Sequence, residues 1–430
     1  MNAAAAVDAL VPDAIARTLV DPAAYAGERI HDAYRWLRAN NPLGRVEVPG
    51  FDPFWAVTRH ADILEISRRN ALFHSGDRST TLATIADERR VRRMTGGSPH
   101  LVRSLVQMDA PDHPKYRALT FKWFSPGSVR QLEAGIRAIA HAEVGRMAAM
   151  GGRCDFVTDV ALGYPLHVIM TILGVPMSDK PKMLKLTQDI FGTQDKGKRS
   201  LIGALPPFIL NRIIAAVMAD IRKYFMGIAR DRRAHPRDDL ASVIANAVID
   251  GAPISDREAT GYFTIVATAG HDTTSSSLAG GMGVLARDPG LLAQLKADPA
   301  LIPAFVEEAI RWTSPVKTFM RSATEDTEVG GRKIAKGDWL MLCYASGNRD
   351  EAVFDDPFAF RLDRQPNRQL AFGHGAHMCI GQHLARLELK ILFETLLPRL
   401  RAIEPDGEMT FTKSWFVNGP RTLPLRFEFA

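Results

Sequence analysis

Apolar residues recur at intervals of three and four along most of the chain, and this spacing predicts a protein built mainly of α-helices. Between residues 178 and 233 the helical pattern is interrupted by an irregular stretch at 192–205 and by Pro206-Pro207. The predicted helices cover residues 28–40, 60–69, two segments of 128–173 separated by Gly151-Gly152, parts of 178–233, 255–286 and 300–312.

Short runs with strand-like composition predict a few strands, at 45–48, 54–58, 316–321 and 338–344. Gly330-Gly331 predicts a hairpin turn, and the alternation at 409–429 predicts a closing β-hairpin around Gly419-Pro420. Residues 74–107 and 351–371 lack a sustained period, so we expect a long loop with short helices and an irregular segment there. No repeat and no proline- or serine-rich linker divides the chain, so we expect one domain over residues 1–430, mainly α with small β-sheets (α+β).

The longest predicted helix, at 255–286, begins with a capping box of Ser255 and Glu258. About 30 helical residues span roughly 45 Å, enough to cross the whole molecule. Its middle contains small, polar and β-branched residues that are poor helix formers, in the order Ala269-Gly270-His271-Asp272-Thr273-Thr274. Threonine hydroxyls can bond back to a carbonyl four residues earlier, so we expect a bend or bulge there, and a glycine lets a ligand approach closely.

One cysteine lies where a glycine-rich loop, residues 372–381, enters a segment with helical spacing. The amides and dipole at a helix N-terminus stabilise a thiolate, which makes Cys379 a candidate anionic ligand of a metal. Gly375 and Gly381 would let the backbone turn tightly beside a flat cofactor, and Phe372 could exclude water from the sulfur. The other two cysteines, Cys154 and Cys343, are expected to be small buried hydrophobic residues.

Charge and cysteine content limit the possible functions. The chain has 54 basic and 48 acidic residues, and this mild excess, without a basic stripe interleaved with aromatics, does not imply nucleic-acid binding. Local basic patches would better serve to dock an acidic protein. Three cysteines in 430 residues suit a reducing compartment, and the N-terminus lacks the pattern of a signal peptide or anchor, so we expect a cytoplasmic protein without a membrane segment.

The cysteine loop resembles a known signature. Phe372, Gly375, His377, Cys379 and Gly381 are similar to the cysteine loop of the cytochrome P450 family, in which the cysteine is the proximal ligand of the haem iron. His377 stands where arginine is most frequent in the family, and a histidine there is similar to some soluble bacterial members. The resemblance implies that His377 donates a hydrogen bond to a haem propionate.

Further motifs follow in the family's order. The residues Ala269, Gly270, Asp272, Thr273 and Thr274 resemble its oxygen-activation motif. The resemblance implies that Asp272 and Thr273 both face the cofactor, with Thr273 holding an oxygen atom there and Asp272 relaying protons from solvent. His271 falls at a variable position and is given no role.

Three further sets of charged or titratable residues complete the resemblance. His113 and Arg117, four residues apart after a helix start at Pro111-Asp112, can be a solvated edge, but they resemble the family's propionate-binding pair. Arg321 resembles another propionate-binding arginine. Glu308, Arg311 and Arg364 resemble the family's structural triad around the thiolate.

The resemblance implies a haem-thiolate monooxygenase with the P450 fold, in which haem b (iron protoporphyrin IX) lies between the long helix and the cysteine loop. Such an enzyme inserts one oxygen atom from O₂ into a small hydrophobic substrate, here a monoterpenoid or an alkyl-substituted aromatic hydrocarbon. No reductase domain is fused to the chain, so we expect electrons from a [2Fe-2S] ferredoxin and its NAD(P)H-dependent reductase, and a monomeric enzyme. A docking patch for the ferredoxin is expected at His113, Arg117, Arg364 and Arg368.

The pocket walls are expected to come from the 74–107 loop, a lid at 186–225, the long helix and the later strands, with Leu82, Ile85, Ala267, Val316, Phe319 and Phe416 as lining residues. Two alternatives stay open. A peroxide-dependent haem-thiolate hydroxylase would use the same cysteine without an electron partner. A zinc-binding structural protein would use His374, His377, Cys379 and His383, but it would leave the Asp272-Thr273 helix unexplained.

Overall fold

The computed structural model describes residues 9–192 and 206–430, and α-helices form most of its regular structure. In chain order the helices are α1 (Asp13–Leu19), α2 (Arg29–Asn40), α3 (His60–Arg68), α4 (Ile85–Thr95), α5 (Asp112–Phe121), α6 (Pro126–Gln131), α7 (Glu133–Ala148), α8 (Gly163–Leu173), α9 (Lys180–Gly192), α10 (Pro207–Ala234), α11 (Leu240–Ala245), α12 (Asp256–Ala269), α13 (Asp272–Leu285), α14 (Pro289–Ala297), α15 (Ile302–Thr313), α16 (Tyr344–Gly347) and α17 (Gln382–Leu396).

The strands are short and form small sheets. They are β1 (Leu43–Val46), β2 (Phe54–Val57), β3 (Phe73–His74), β4 (Arg153–Asp155), β5 (Val248–Ile249), β6 (Ala252–Pro253), β7 (Thr318–Ala323), β8 (Thr327–Val329), β9 (Arg332–Ile334), β10 (Trp339–Cys343), β11 (Leu400–Pro405), β12 (Thr410–Phe411), β13 (Pro420–Thr422) and β14 (Pro424–Phe429). The largest sheet has the order β1-β2-β10-β7-β3, and a second has the order β11-β14-β4. The predicted class, mainly α with small sheets, is confirmed.

Most predicted elements occur within a few residues of their predicted bounds. Helices α2, α3 and α15 and strands β1, β2, β7 and β10 are examples, and Gly330-Gly331 forms the turn between β8 and β9 with positive φ at both residues. Segment 128–173 is more divided than predicted, because β4 and a π-helical turn (Val157–Ala161) lie between α7 and α8. Residues 1–8 and most of the predicted irregular stretch at 192–205 lie outside the described residues.

The long helix is split in two, so the prediction of one continuous helix at 255–286 was wrong. Helix α12 ends at Ala269 and α13 begins at Asp272, while the predicted capping box of Ser255 and Glu258 is present. The Thr273 hydroxyl donates a hydrogen bond of 2.8 Å to the carbonyl of Ala269 across the break. A side chain thus takes up a helix carbonyl where the main-chain ladder is interrupted, as the local composition predicted.

The predicted C-terminal hairpin over 409–429 was also wrong in part. Strand β12 pairs antiparallel with β13, with Thr410 opposite Thr422, but β14 pairs with β11 and β4 instead. Leu425 and Phe427 of β14 are buried in the largest hydrophobic cluster, and pairing with those two strands puts them there. Burial in the core therefore decides the partners of β14.

That cluster is the core between the helices, and it includes residues of α7, α8, α12, α13, α15 and α17. Helix α13 packs against α15, and α17 packs against α7 and α15, so the helix break and the helix after the cysteine loop belong to one packed body. In the described part of the chain, no helix combines the length and apolar character that crossing a bilayer requires.

A buried ion network fixes the segment that leads to the cysteine loop. Glu308 and Arg311 are fully buried on α15, and Glu308 accepts hydrogen bonds of 2.7 and 2.6 Å from Arg311 and 3.1 Å from Arg364. Arg311 and Arg364 also donate to backbone carbonyls of residues 348 and 355–359. The predicted triad is therefore present, and it ties the irregular segment to α15.

We predict that Glu308→Gln destabilises the protein by about 3–5 kcal/mol, because it leaves two buried guanidinium groups without their carboxylate. Glu133→Gln is the matched control, since Glu133 pairs with Arg137 on the exposed side of α7. The control should change the free energy of unfolding, measured by urea titration, far less. Equal losses in the two variants would contradict a structural role of the buried network.

The cysteine loop is also held by a glycine that tolerates no side chain. Gly375 has φ of +70°, and a Cβ there would overlap the backbone carbonyl oxygen of Ser67 in α3. The loop can therefore lie against α3 only with glycine at this position.

Gly375→Ala should lower the free energy of unfolding by at least about 1–3 kcal/mol, because the left-handed conformation and the overlap both oppose a Cβ. Gly145→Ala, in the last turn of α7 with no atom within 4 Å of the new Cβ, should raise it by at most about 0.5–1 kcal/mol. Urea unfolding of both variants measures the contrast. A Gly375→Ala protein as stable as the wild type would refute the tight loop contact.

Candidate active site

A cavity of about 510 Å³ lies between the broken helix pair α12–α13 on one side and the cysteine loop on the other. Most of its wall is apolar. The predicted lining residues Val316, Phe319 and Phe416 do line it.

Three predicted lining residues do not reach the cavity. Ala267 faces the helix core, and its neighbours Ile265 and Val266 line the cavity instead. Leu82 is buried against other core residues, and Ile85 begins α4 outside the wall. The 74–107 loop contributes other residues, among them Thr80, Thr81, Val91, Leu101 and Val106. The sequence identified the wall segments, but it did not reveal which side of each segment faces inward.

Cys379 presents its sulfur to this cavity. Its side chain is accessible to solvent and lines the cavity. Its backbone N–H donates 2.8 Å to the carbonyl of Phe372, which closes the loop just before α17. Burial raises the pKa of the thiol, while the N–H of Gly381 and the charges of Arg117 and Arg386 act in the opposite direction. Because the protein alone favours the thiol, binding to a metal would be coupled to loss of its proton.

Phe372 lines the cavity beside the cysteine, as predicted. The guanidinium of Arg386 lies 4.4 Å from the centre of its ring, and Glu307 binds the same guanidinium. The cation holds the ring by a cation–π contact. Phe372 is thus fixed next to the sulfur.

Four basic side chains line the cavity near the cysteine: His113, Arg117, Arg321 and His377. The guanidinium of Arg117 donates 2.7 Å to the carbonyl of Met378, and the rings of His113 and His377 lie 4.2 Å apart. Within residues 9–192 and 206–430, neither Arg117 nor Arg321 has a carboxylate at ion-pair distance. A partly buried arginine without an anion is costly, so this set fits a cofactor that carries carboxylates of its own.

The two histidines of this set are held in their neutral form. Burial, His377 and Arg117 together lower the pKa of His113 to about 4. Burial lowers the pKa of His377, although Asp109 acts against it. A neutral imidazole has one N–H, so His113 can donate one hydrogen bond to a cofactor carboxylate, whereas the N–H of His377 is on Nε2 and faces Asp109. The hydrogen bond from His377 to a propionate that the family resemblance implied would therefore need a second proton on the ring.

Asp109, which the sequence reasoning missed, supports this basic wall. Its carboxylate accepts hydrogen bonds from the backbone N–H groups of Ser75 and Gly76 and lies 3.8 Å from Nε2 of His377. Burial alone would raise its pKa, but His377 and the two N–H groups outweigh burial and lower it to about 2. Its position just before the predicted helix start was the only available signal, and that signal does not indicate its partners.

On the opposite wall, Ala269, Gly270 and Thr273 line the cavity, as predicted for their segment. The only proton of the Thr273 hydroxyl is donated to Ala269, so its oxygen faces the cavity as an acceptor. A Cβ on Gly270 would lie 3.3–3.4 Å from the carbonyl of Val266 and the side chain of Ile169. The glycine therefore serves helix packing as well as access to the cavity.

Asp272 does not line the cavity, so the expectation that it faces the cofactor together with Thr273 was wrong. It begins α13 and turns towards His271, which is fully buried. Burial raises the pKa of the Asp272 carboxyl, and His271 acts in the opposite direction. His271, given no role from the sequence, is thus the neighbour that matters most for this acid.

Glu388 is a second buried acid that sequence reasoning missed. It lies on α17 and lines the cavity, and burial raises its pKa well above the usual range of a glutamate. Its Oε2 has no hydrogen-bond partner within the described residues. Only its position nine residues after the cysteine could have drawn attention to it.

One alternative and one prediction fail. The proposed zinc ligands are not brought together, because His74, Asp77 and Asp109 form the only group of three possible metal ligands found among the described residues. The expected docking patch is wrong at His113, which is buried, and at Arg364, which is nearly buried and bound to Glu308. Arg368 remains exposed.

Comparisons with known proteins agree with this geometry. The family model described as "Cytochrome P450" matches residues 83–427. The curated protein "Cytochrome P450-terp" from Pseudomonas sp is 48% identical over 97% of this chain and 98% of its own length, and "Linalool 8-monooxygenase" from Pseudomonas putida is 32% identical over 94% and 97%. The crystal structure of CYP108D1 from Novosphingobium aromaticivorans superposes with a TM-score of 0.91 at 47% identity, covering 98% of this chain and 100% of that one.

The three motifs at 267–277, 316–321 and 375–385 are also similar to the bacterial terpineol-hydroxylating cytochrome P450, and the whole-chain comparison confirms that resemblance. The chain therefore belongs to the cytochrome P450 family and is a haem b monooxygenase.

Proposed function

We propose that this P450 forms one catalytic unit in which Cys379 ligates the haem iron, Thr273 and Asp272 serve proton delivery, and the substrate is a small apolar molecule. One observation carries this proposal: the Cys379 sulfur with its basic wall and the Thr273 hydroxyl line the same cavity from opposite sides. When bound, the haem supplies the iron at which O₂ is reduced and split, so that one oxygen atom enters the substrate and the other leaves as water.

The cysteine loop binds and tunes the metal. Once deprotonated, the Cys379 sulfur keeps the hydrogen bond from the Gly381 N–H and the nearby charges of Arg117 and Arg386. These contacts stabilise a thiolate. Phe372, held by Arg386, excludes water from its side of the sulfur.

The basic wall binds the two propionates of haem. Arg117 and Arg321 supply charge without a competing carboxylate among the described residues, and neutral His113 supplies one N–H donor. The single N–H of neutral His377 is directed to Asp109, so His377 lines the wall without donating to a propionate. Asp109 orients His377 and the backbone of Ser75 and Gly76 around it. The wall thus sets the position of the ring in the cavity.

Thr273 and Asp272 have separate proposed roles in proton delivery, and they lie on different faces of α13. Thr273 offers an acceptor oxygen to the cavity because its proton is held by the Ala269 carbonyl. Asp272, the preceding residue, lies outside the cavity; it keeps 16% of its side chain exposed, although its Oδ2 is buried without a hydrogen-bond partner among the described residues. The proposed role of the acid is to take up protons from solvent at the exposed part of its side chain, while the alcohol fixes their point of entry.

The substrate class is proposed from the wall and from the relatives. Phe319 and Phe416 contact each other edge to face at 5.1 Å, and with Val316, Ile265 and Val266 they form an apolar surface. The names of two relatives refer to terpenes or to linalool. A monoterpenoid or an alkyl-substituted aromatic hydrocarbon fits this surface, since neither needs a charged partner.

Electrons are proposed to come from a [2Fe-2S] ferredoxin with an NAD(P)H-dependent reductase. The surface beside the cysteine helix carries Arg130, His383, Arg386 and Lys390 around a groove, in which Arg386 pairs with Glu307 and Lys390 pairs with Glu394. The charge of Arg386 acts on the Cys379 thiol, and basic residues outnumber acidic ones around the groove, which suits an acidic electron carrier. The docking patch is thus proposed here, rather than at His113 and Arg364.

The proposal is tested by titrating the ferric protein with a panel of monoterpenoids and alkylbenzenes and then measuring turnover. We expect members of the panel to shift the haem spectrum as they displace water, and turnover to require reductase, ferredoxin and NAD(P)H. Hydrogen peroxide should support little product. Faster turnover with peroxide than with the ferredoxin system would favour a peroxide-dependent hydroxylase instead.

Thr273→Ala should retain haem and substrate binding but reduce the product formed per reductant consumed by roughly 10-fold or more. Without the hydroxyl, protons are no longer directed to one position in the cavity, so reductant is consumed without forming product. Thr264→Ala is the matched control, because Thr264 also lines the cavity and bonds back to a carbonyl four residues earlier. Its coupling of reductant to product should stay near the wild-type value. Coupling unchanged in Thr273→Ala would contradict the assigned role.

A further inference from the structure

His100, in the 74–107 loop, lines the cavity although the residue is only 8% exposed. Its Nε2 lies 3.0 Å from the carbonyl oxygen of Gly76 and forms a hydrogen bond with it. Its backbone N–H donates to the Ser98 hydroxyl at 3.2 Å, and that hydroxyl donates to the His100 carbonyl at 3.3 Å. The ring and the backbone of His100 are thus both held by the loop.

Gly76 is a fixed anchor for this ring. Its N–H donates to Asp109 at 2.7 Å, and a Cβ on Gly76 would lie 2.8 Å from the carbonyl oxygen of Gln107. The carbonyl that binds His100 therefore belongs to the packed backbone that also supports the basic wall. Because the anchor is part of the fold, the orientation of the ring is set before any ligand binds.

The hydrogen bond to Gly76 determines the tautomer of His100. A carbonyl oxygen can only accept, so the proton of the ring must be on Nε2. Burial lowers the pKa of His100, although the bond to Gly76 acts against it, so the ring carries no second proton at neutral pH. Nδ1 therefore presents a lone pair and can only accept a hydrogen bond.

No group of residues 9–192 and 206–430 donates to Nδ1 of His100, and the surrounding protein does not seal this atom off as it does Nδ1 of His271. The charged residues nearest to the ring on α4, Glu88 and Arg92, pair with each other at 3.0 Å. Since the buried ring lines the cavity, the lone pair of Nδ1 is open to that cavity. A haem propionate has only acceptor oxygens, so it cannot use this atom, whereas a hydroxyl group can.

We propose that His100 is a specificity-determining residue whose Nδ1 accepts a hydrogen bond from a hydroxyl group of the substrate, so that the preferred substrates are small apolar alcohols. This inference rests on the proposed function and deepens its substrate class, from a monoterpenoid or alkyl-substituted aromatic compound in general to one that carries a hydroxyl group.

An acceptor in an otherwise apolar wall selects strongly for a matching donor. A buried hydroxyl without a partner is costly, and so is a buried acceptor without one, so both the alcohol and Nδ1 gain from the contact. Around the carbon skeleton, Val106, Val316 and Phe319 offer apolar contacts. One fixed hydrogen bond and an apolar surface together hold the substrate in one orientation.

Two hydroxyl groups of α12 compete with His100 for this role. Thr264 and Thr268 line the cavity, and each donates its proton to the carbonyl four residues earlier, at 2.7 and 2.8 Å. Their oxygens can therefore also accept from a ligand. An imidazole nitrogen is the stronger base and hence the stronger acceptor, which favours His100.

The proposal is tested with three probes of similar size, whose dissociation constants are measured from the spectral shift of the ferric haem protein. The probes are 2-phenylpropan-2-ol, tert-butylbenzene, which replaces the hydroxyl by a methyl group, and acetophenone, which can only accept. We expect His100→Leu to weaken binding of the alcohol by about 5- to 30-fold, because its hydroxyl loses its partner. Binding of tert-butylbenzene and acetophenone should change by less than about 2-fold, since neither donates to Nδ1.

Thr264→Val is the matched control, because it removes the competing acceptor and keeps the shape of the side chain. All three dissociation constants should stay near their wild-type values. Unchanged binding of the alcohol in His100→Leu would overturn the proposal. Equal weakening of all three probes would also overturn it, because His100 would then only support the loop. A loss confined to the alcohol in Thr264→Val would assign the hydroxyl to α12 instead.

The same titrations separate this inference from the proposed function. If tert-butylbenzene shifts the spectrum of the wild type while alcohol binding does not depend on His100, an apolar substrate still fits and only the inference is wrong. If none of the probes or panel members shifts the spectrum, the proposed substrate class is wrong as well.

Discussion

The backbone of the cysteine loop directs the Cys379 sulfur into the cavity, and the site is built around that sulfur. The loop is closed by the hydrogen bond from Cys379 to Phe372 and is pressed against α3 at Gly375, where no side chain fits. On its far side, the buried carboxylate of Glu308 holds the arginines that fix the preceding segment. A ligand position this precise needs support from several elements, because the glycine-rich loop has little stiffness of its own.

The electrostatics of the two walls are opposite in kind. One wall holds Arg117 and Arg321 without a carboxylate partner in the described chain, so it favours an anionic cofactor. The other wall is nearly neutral, with Thr273 as an acceptor and its ionisable neighbours turned away behind the helix break. The charged groups that would bind the cofactor and the groups that would deliver protons therefore lie on opposite walls of the cavity.

The sequence predicted those features that depend on local signals. The glycines around Cys379, the poor helix formers at 269–274 and the spacing of His113 and Arg117 each occur within a few residues, and the structure has a loop, a break and a shared helical face there. Features decided by distant packing were not predictable. The orientation of Asp272 depends on the buried ring of His271 and the carbonyl of Leu162, more than 100 residues earlier. The partners of β14 and the inward face at Ala267 likewise depend on the shape of the finished core.

The bond between the Cys379 sulfur and the haem iron is tested most directly by the absorption spectrum of the reduced protein under carbon monoxide, compared with Cys379→His. A thiolate ligand predicts a red-shifted Soret band in the wild type and its loss in the variant, even if the variant retains haem. A wild-type protein that binds haem without the red shift, or a variant that keeps it, would contradict the account.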